Sequence, residues 1–355
     1  MRSIVRIFVS ALVLLAFSQQ PLHAQAVTPK GIETNSGPII PFLEGTDVFV
    51  SLEKTPDRRW RRSTVFEGDI FPHLVVYQNF TDVIDAGRQV DRDKPRRIAW
   101  VISGTPAVRI RMFEEVSRPV RTPSYMPRGN VQMILARGIR EALAIGGEKR
   151  NRVTLWEGHA IIGHHSNGQD GCLYQDEIRN GESCDRLPAS TVGHVINTKD
   201  GSFSTNYARL GVNFRRNYLD SDLWANREWG LRADLEQHFR MDPLIRDLYG
   251  RTRVEFAGSY ATRTTKWCTR RLEAMGSVKA IAGADADVWP VAITAQASCF
   301  PFARGGWGFF FRYYGGQDYY NIGFLENIQR FQIGATFNQG GFFRFQRPAA
   351  TPAKP

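Results

Sequence analysis

Phe331-Gln332-Ile333-Gly334-Ala335-Thr336-Phe337 is the stretch that decides the fold class. Its odd positions are apolar and its even positions polar or small. That two-residue period gives a strand two different faces, and the closing aromatic suits a strand that meets a membrane interface. The same pattern recurs upstream. In 202–214 the even positions from Ala208 onward read Ala208, Leu210, Val212 and Phe214, while the odd ones read Tyr207, Arg209, Gly211 and Asn213. In 153–166 the even positions include Trp156, Ala160 and Ile162, then His164 and Ser166, with Val153, Leu155 and Ile161 on the other face. Strands of a soluble sandwich alternate too; cationic residues on the inner face favour a barrel.

Strand-like segments fall at 47–53, 73–80, 97–103, 107–113, 130–137, 153–166, 202–214, 227–239, 252–263, 276–283, 289–299, 307–314 and 329–337. Turn residues such as Asp93-Lys94-Pro95, Ser103-Gly104-Thr105-Pro106 and Arg128-Gly129-Asn130 separate them. Ile139 to Ala144 reads equally as a short helix or a loop insertion. The expectation is an all-β fold, an antiparallel transmembrane β-barrel of about 12 strands, closed so that no edge is exposed.

Two arginines, Arg2 and Arg6, precede the apolar run Ile7 to Phe17, and small residues follow at Ala24 and Ala26. This pattern predicts a signal peptide over 1–26; the run is shorter than the roughly 20 residues a membrane-spanning helix needs. An extended segment over 27–45, a barrel over 46–338 and a Pro- and Ala-containing tail over 339–355 complete the expected organisation. The predicted location is the bacterial cell outer membrane, crossed many times.

The 355-residue chain carries 46 Lys and Arg against 35 Asp and Glu, a net charge of +11. Such a balance suits anionic head groups as well as a solvated surface. Without CxxC pairs, a helix-turn-helix pattern or an RNP-like aromatic segment, nucleic acid is not an expected partner. Four cysteines in an exported chain are compatible with two disulfides and permit three connectivities. Cys172 and Cys184 could staple one loop, and Cys268 and Cys299 could pair across neighbouring strands.

Chemistry concentrates in Gly163-His164-His165-Ser166-Asn167-Gly168. Side chains alternate along a strand, so His164 and Ser166 share a face and His165 takes the other. A serine needs an adjacent base, and the imidazole needs an orienting partner at its second nitrogen. Asn206 shares the parity of the apolar face of its own segment and is the candidate.

These residues carry a resemblance. His164-His165-Ser166-Asn167-Gly168 resembles the H-x-S-N-G motif of the outer membrane phospholipase A family, and Ser202-Phe203-Ser204-Thr205-Asn206 is similar to its S-x-S-x-N segment. Ser117 to Pro127 looks like its S-x-P-x-R-x-x-x-Y-x-P stretch, and Tyr314 to Asn321 resembles its Tyr- and Gly-rich turn before the last strand. The resemblance implies a 12-stranded barrel with the site on its outside. It implies Ser166 as nucleophile, His164 as general base, Asn206 as the residue orienting the imidazole, and the Gly168 N–H as an oxyanion donor. It further implies Ca2+ as cofactor, held by the Ser202 hydroxyl, the Gln169 carbonyl and Ser117 from the second subunit of a homodimer. A carboxylate from Asp170 could add to these.

The implied activity is calcium-dependent hydrolysis of membrane phospholipid acyl esters, that of a phospholipase A1/A2-type carboxylic ester hydrolase. The alternatives are a catalytically inactive barrel serving as a porin or lipid-handling structural protein, or a lipid A deacylase. Two features depart from the family pattern. A segment over 169–201, with Cys172 and Cys184, stands where the family has a short loop, and the tail continues past Phe337. Of the remaining candidates, His159 and His165 have the parity of the interior, and His194 is assigned nothing. Asp285 and Asp287 read as a solvated turn, and Trp307 to Tyr320 as an interfacial aromatic girdle.

Overall fold

Alternation along the chain becomes the inside and outside of one closed sheet. The structure is a computed structural model. It describes residues 42–54, 60–62, 64–79, 97–113, 120–143, 149–175, 177–180, 183–186, 195–219, 225–241, 245–263, 271–301 and 306–337. The signal segment, Ser117, His194, Cys268 and the C-terminal tail lie outside the described residues.

The strands are β1 (Thr46–Lys54), β2 (Trp60–Arg62), β3 (Thr64–Ile70), β4 (Leu74–Gln78), β5 (Arg97–Phe113), β6 (Ser124–Leu143), β7 (Lys149–Ser166), β8 (Glu177–Asn180), β9 (Ser183–Arg186), β10 (Ser204–Leu219), β11 (Ala225–Phe239), β12 (Tyr249–Arg263), β13 (Arg271–Ala284), β14 (Val291–Phe300), β15 (Trp307–Gln317) and β16 (Asn327–Phe337). Each barrel strand pairs antiparallel with the next, and β1 closes on β16 from Thr46↔Phe337 to Glu53↔Arg330. Twelve positions make the wall; one of them is built in pieces, with β2 on β1, β3 between β1 and β5, and β4 on β5. At the seam Gly334 lies opposite Phe49, and a β-carbon there would overlap the Val48 carbonyl and Phe49.

Several expectations need correction. Segments 97–103 and 107–113 are one strand, and β6 begins at Ser124 rather than 130, so Gly104, Pro106 and Gly129 lie inside strands. Pro106 pairs with Pro127 and Gly104 with Gly129. Proline lacks the N–H a ladder needs. Pro106 sits where β3 has ended at Ile70↔Val108 and β4 begins at Leu74↔Gly104. Pro127 falls in the lapse of the β6–β7 ladder between Tyr125↔Ser166 and Arg128↔Gly163. Ile139 to Leu143 continues β6, and Trp60–Ile70 supplies strand that the segment reading omitted.

The outer face is apolar: Ile162, Leu210, Val212, Leu231, Phe256 and Ile333 are all exposed there. The lumen is polar and tightly paired. Arg111 donates to Glu67 at 3.0 Å and to both oxygens of Asp318 at 2.6 and 2.9 Å, and Arg330 bridges Glu67 and Glu53 at 3.3 and 2.8 Å. Residues 42–45 turn into the lumen, where Glu44 pairs with Arg128 at 2.5 Å and Arg215 stacks over the Phe42 ring at 4.5 Å. Between strands, the connections at the Ser166 end include 167–203, 240–248 and 318–326, and those at the other include 79–96, 144–148 and 220–224. That end is capped by an apolar cluster of Leu173, Tyr174, Phe203, Met241, Ile245, Tyr249, Ile322 and Phe324.

Asp318 ties the 318–326 loop to the lumen. Burial pushes its carboxyl up, but Arg111 and Arg330 outweigh this and hold it below its ordinary 3.8. A carboxylate so lowered contributes stability that is present above the unfolded pKa and lost as pH falls through the lowered one. Protease resistance of this loop is therefore expected to stay constant from neutral pH down to about pH 5 and to fall only in stronger acid. Asp318→Asn leaves Arg111 short of a partner and should cost roughly 3–5 kcal/mol at neutral pH, read as a lowered denaturation midpoint. An unchanged midpoint would remove Asp318 from this role.

Candidate active site

Strands β7 and β10 lie side by side with Asn206 opposite His164 and Ser204 opposite Ser166. On β7 the even residues point outward, as the exposed Trp156 and Ile162 show, so His164 and Ser166 both lie on the outer face. The expected pair is thus on one face, and the register brings Asn206 to it. Asn206 Oδ1 lies 3.0 Å from His164 Nδ1. An amide oxygen only accepts, so Nδ1 carries the proton and the neutral ring presents Nε2 as the basic nitrogen.

Behind the pair stands a polar network that the sequence reading missed. The Thr205 hydroxyl donates to the Asn206 carbonyl and lies 3.2 Å from His238 Nδ1, and His238 Nε2 lies 2.9 Å from Glu236 Oε1. The inward parity of Glu236 and His238 on β11 was its only sequence signal. His165 is buried on the lumenal side, as its parity required, with the Tyr249 hydroxyl 3.3 Å from its Nδ1. His159 also faces inward, 3.1 Å from Glu157.

Asn167 builds the turn beyond Ser166. Its Nδ2 donates to the Gly201 carbonyl at 2.7 Å, and its Oδ1 accepts from the N–H groups of Phe203 at 3.0 Å and Gln169 at 3.3 Å. Gly168 follows with φ +66°, and a β-carbon there would come within 3.3 Å of Tyr125. Both conditions favour glycine. Tyr125 pairs with Ser166 and is exposed beside it.

The 169–201 segment is pinched at its base. Gly171 N–H donates to Asp200 O at 3.0 Å and Ser202 N–H to Gly171 O at 2.8 Å; further out, Asn197 bonds Leu173 and Gln175 bonds Val195. Ser202 is therefore returned to the chain two residues after Gln169, and the insertion does not carry it away. Beyond the pinch, Leu173 and Tyr174 pack into the cap over the lumen, and Cys172 is bonded to Cys184 with 5.6 Å between Cα atoms. Cys299 is also disulfide-bonded.

The outer side stays open. A shallow groove of about 530 Å³ runs beside His164 and Asn206, walled by Leu74, Pro106, Pro127 and Ile162 over Gly104 and Gly129. Of the residues expected to hold calcium, Ser117 lies outside the described ones. Ser202 and Gln169 offer a hydroxyl and a carbonyl, an all-oxygen set that fits a hard cation. No group of three or more His, Cys, Asp or Glu able to hold a metal occurs among the described residues.

No protein-family model matches this chain, and no curated protein matches it by sequence. Among solved structures it is similar to outer membrane phospholipase A from Escherichia coli, at 9% identity and TM-score 0.39, covering 89% of this chain and 95% of that one. It is similar to the Salmonella typhi outer membrane phospholipase dimer with bound calcium, at 11% identity and TM-score 0.39, covering 86% and 94%. It is also similar to OmpT, an outer membrane protein of Vibrio cholerae, at 11% identity and TM-score 0.26, covering 82% and 95%. Values this low leave activity to be argued from the residues themselves.

Asn167→Ala strips partners from two N–H groups and one carbonyl at the turn. Each buried group left unpaired costs about 1–3 kcal/mol. Limited proteolysis between 167 and 203 is expected to quicken at least ten-fold while the barrel stays heat-modifiable on gels; an unchanged rate would show that the cap, not Asn167, holds the turn.

Proposed function

We propose that this chain is an outer-membrane esterase that hydrolyses acyl esters of membrane glycerophospholipids. The observation that carries the reading is the 3.0 Å contact between His164 Nδ1 and Asn206 Oδ1, made on a lipid-facing surface with Ser166 on the same face of the same strand. A polar triad has no stabilising role among lipid tails; there it serves a substrate that arrives through the membrane plane.

In this mechanism His164 Nε2 removes the proton of the Ser166 hydroxyl as Ser166 Oγ attacks the ester carbonyl. Asn206 keeps the imidazole in the tautomer that can accept that proton. The Gly168 N–H donates to the oxyanion of the tetrahedral intermediate. Collapse expels the lysophospholipid alkoxide, which takes the proton back from His164, and leaves an acyl-Ser166 ester. A water deprotonated by His164 then releases the fatty acid. Calcium, held by Ser202 and Gln169 and by Ser117 of a second copy, would supply positive charge near the developing oxyanion. The proposed active form is accordingly a homodimer. The apolar cap formed by Leu173, Tyr174, Phe203 and Phe324 over the lumen supports an enzyme rather than an open pore.

The test is ester hydrolysis by the refolded protein on phospholipid in excess calcium. Ser166→Ala is expected to abolish turnover with the barrel intact, and retained activity would sink the mechanism. Asn206→Ala should lower kcat about 10–100-fold and leave KM nearly unchanged, because it acts through the general base. Removal of calcium with a chelator should stop the wild type reversibly.

A further inference from the structure

The same wall carries a second polar row at its opposite end. On β10, Arg215 turns inward and pairs with Glu228 at 3.3 Å, whereas Arg216 turns outward. The guanidinium of Arg216 lies 5.4 Å from the Phe214 ring and 5.2 Å from the Trp229 ring, and its Nε is buried without a hydrogen-bond partner. One rung further on, Tyr218 is opposite Arg152 of β7 and Arg227 of β11, and the parity of both strands puts these arginines outward too. Among the described residues none of the three forms an ion pair, and Glu228, next to Arg227 on β11, is buried on the lumenal side.

The spacing says where this row sits. Between Asn206 and Arg216 the outward side chains of β10 are Ala208, Leu210, Val212 and Phe214. At about 3.3 Å per residue and a tilt near 40°, that interval rises about 25 Å, the height of the apolar band of an outer-membrane barrel. An outward arginine costs roughly 2–4 kcal/mol at the midplane and little at the interface, so Arg216 marks the second interface. Barrels keep long loops outside and short turns in the periplasm; on this wall 167–203 joins β7 to β10 at the Ser166 end, while 144–148 and 220–224 join neighbouring strands at this one, which turns the arginine row to the inner leaflet.

We propose that Arg152, Arg216 and Arg227 form a binding site for the phosphate head group of an anionic glycerophospholipid of the inner leaflet. Among the described residues this face supplies no anion, and the membrane is the source of the one these cations need. Arg216, beside the paired Phe214 and Trp229 rings, presents a planar fork that matches phosphate oxygens in pairs. Trp229 and Tyr260, opposite each other on β11 and β12, suit the glycerol and ester level. The acyl chains then run along Leu231, Val212 and Phe256, all exposed. Three cations favour a head group of net negative charge over a zwitterionic one.

Native mass spectrometry on the folded full-length protein, in the Ser166→Ala background so that bound lipid is not turned over, tests this with phosphatidylglycerol, phosphatidylcholine and lipopolysaccharide as probes. The expected result is retention of phosphatidylglycerol about ten-fold above phosphatidylcholine. Replacing all three arginines by Gln should erase that preference, and Arg216→Lys should reduce it in part, with heat-modifiability showing each barrel closed. Equal retention of phosphatidylglycerol by the triple variant would overturn the proposal. So would preferential retention of lipopolysaccharide through these arginines, which would place the row in the other leaflet.

Discussion

Everything in this protein depends on the barrel wall closing, first strand against last. Hydrocarbon offers a backbone N–H nothing to bond, so a sheet that crosses it must close on itself. Here closure runs through eight register pairs between β1 and β16, with Gly334 thinned to hydrogen so that Phe49 fits against it. Once closed, the sheet has only an inside and an outside. The period of two in the sequence then assigns each side chain to lipid or to lumen with no intermediate choice.

That partition explains the interior. Charged side chains confined to the lumen have no bulk water to spread into, so they neutralise one another: Glu67 is shared by Arg111 and Arg330, and Arg111 reaches on to Asp318 in the loop beyond β15. Buried pairs of this sort contribute little net stability but cost several kcal/mol when one partner is lost. Their effect is to fix positions. Through Asp318 the lumen holds the 318–326 loop, whose Tyr320 and Asn321 both bond the Thr122 carbonyl at 2.9 and 2.8 Å. Phe324 of that loop packs on Phe203 at 5.8 Å between ring centres, and Asn167 binds the backbone of Phe203. The turn after Ser166 is thus anchored to ion pairs on the far side of the barrel.

What was legible in the sequence follows the same physics. Parity alone put His164, Ser166 and Asn206 on outward positions, because alternation is a property of each strand by itself. The meeting of His164 with Asn206 needed the β7–β10 register, which parity does not contain and the family resemblance implied. Turn-forming residues misled where tertiary structure supplied what they lack locally: Pro106 and Pro127 face each other at points where the adjoining ladders lapse, so neither breaks its strand. The 169–201 insertion hid its role because the pinch between Gly171 and Gly201 and the packing of Leu173 and Tyr174 on Phe324 are non-local. Its effect is to close the lumen while leaving His164 open to the membrane. The Thr205–His238–Glu236 network, too, is invisible until three strands are laid side by side.

The outer wall of β7, β10 and β11 finally reads as a ruler. The His164 and Asn206 row and the Arg216 row stand at the two ends of its apolar surface, and the interval between them matches the apolar band of an outer-membrane barrel. Neither row can shift without dragging the other into lipid tails, since one continuous register carries both. The depth of the Ser166 hydroxyl is therefore set from the opposite side of the membrane. Under the proposed function, a lipid ester would reach it with its head group at the outer interface and its chains along the exposed Ile162 and Leu74. With the lumen capped above and crossed by ion pairs within, the membrane plane is the route which that proposal gives its substrate.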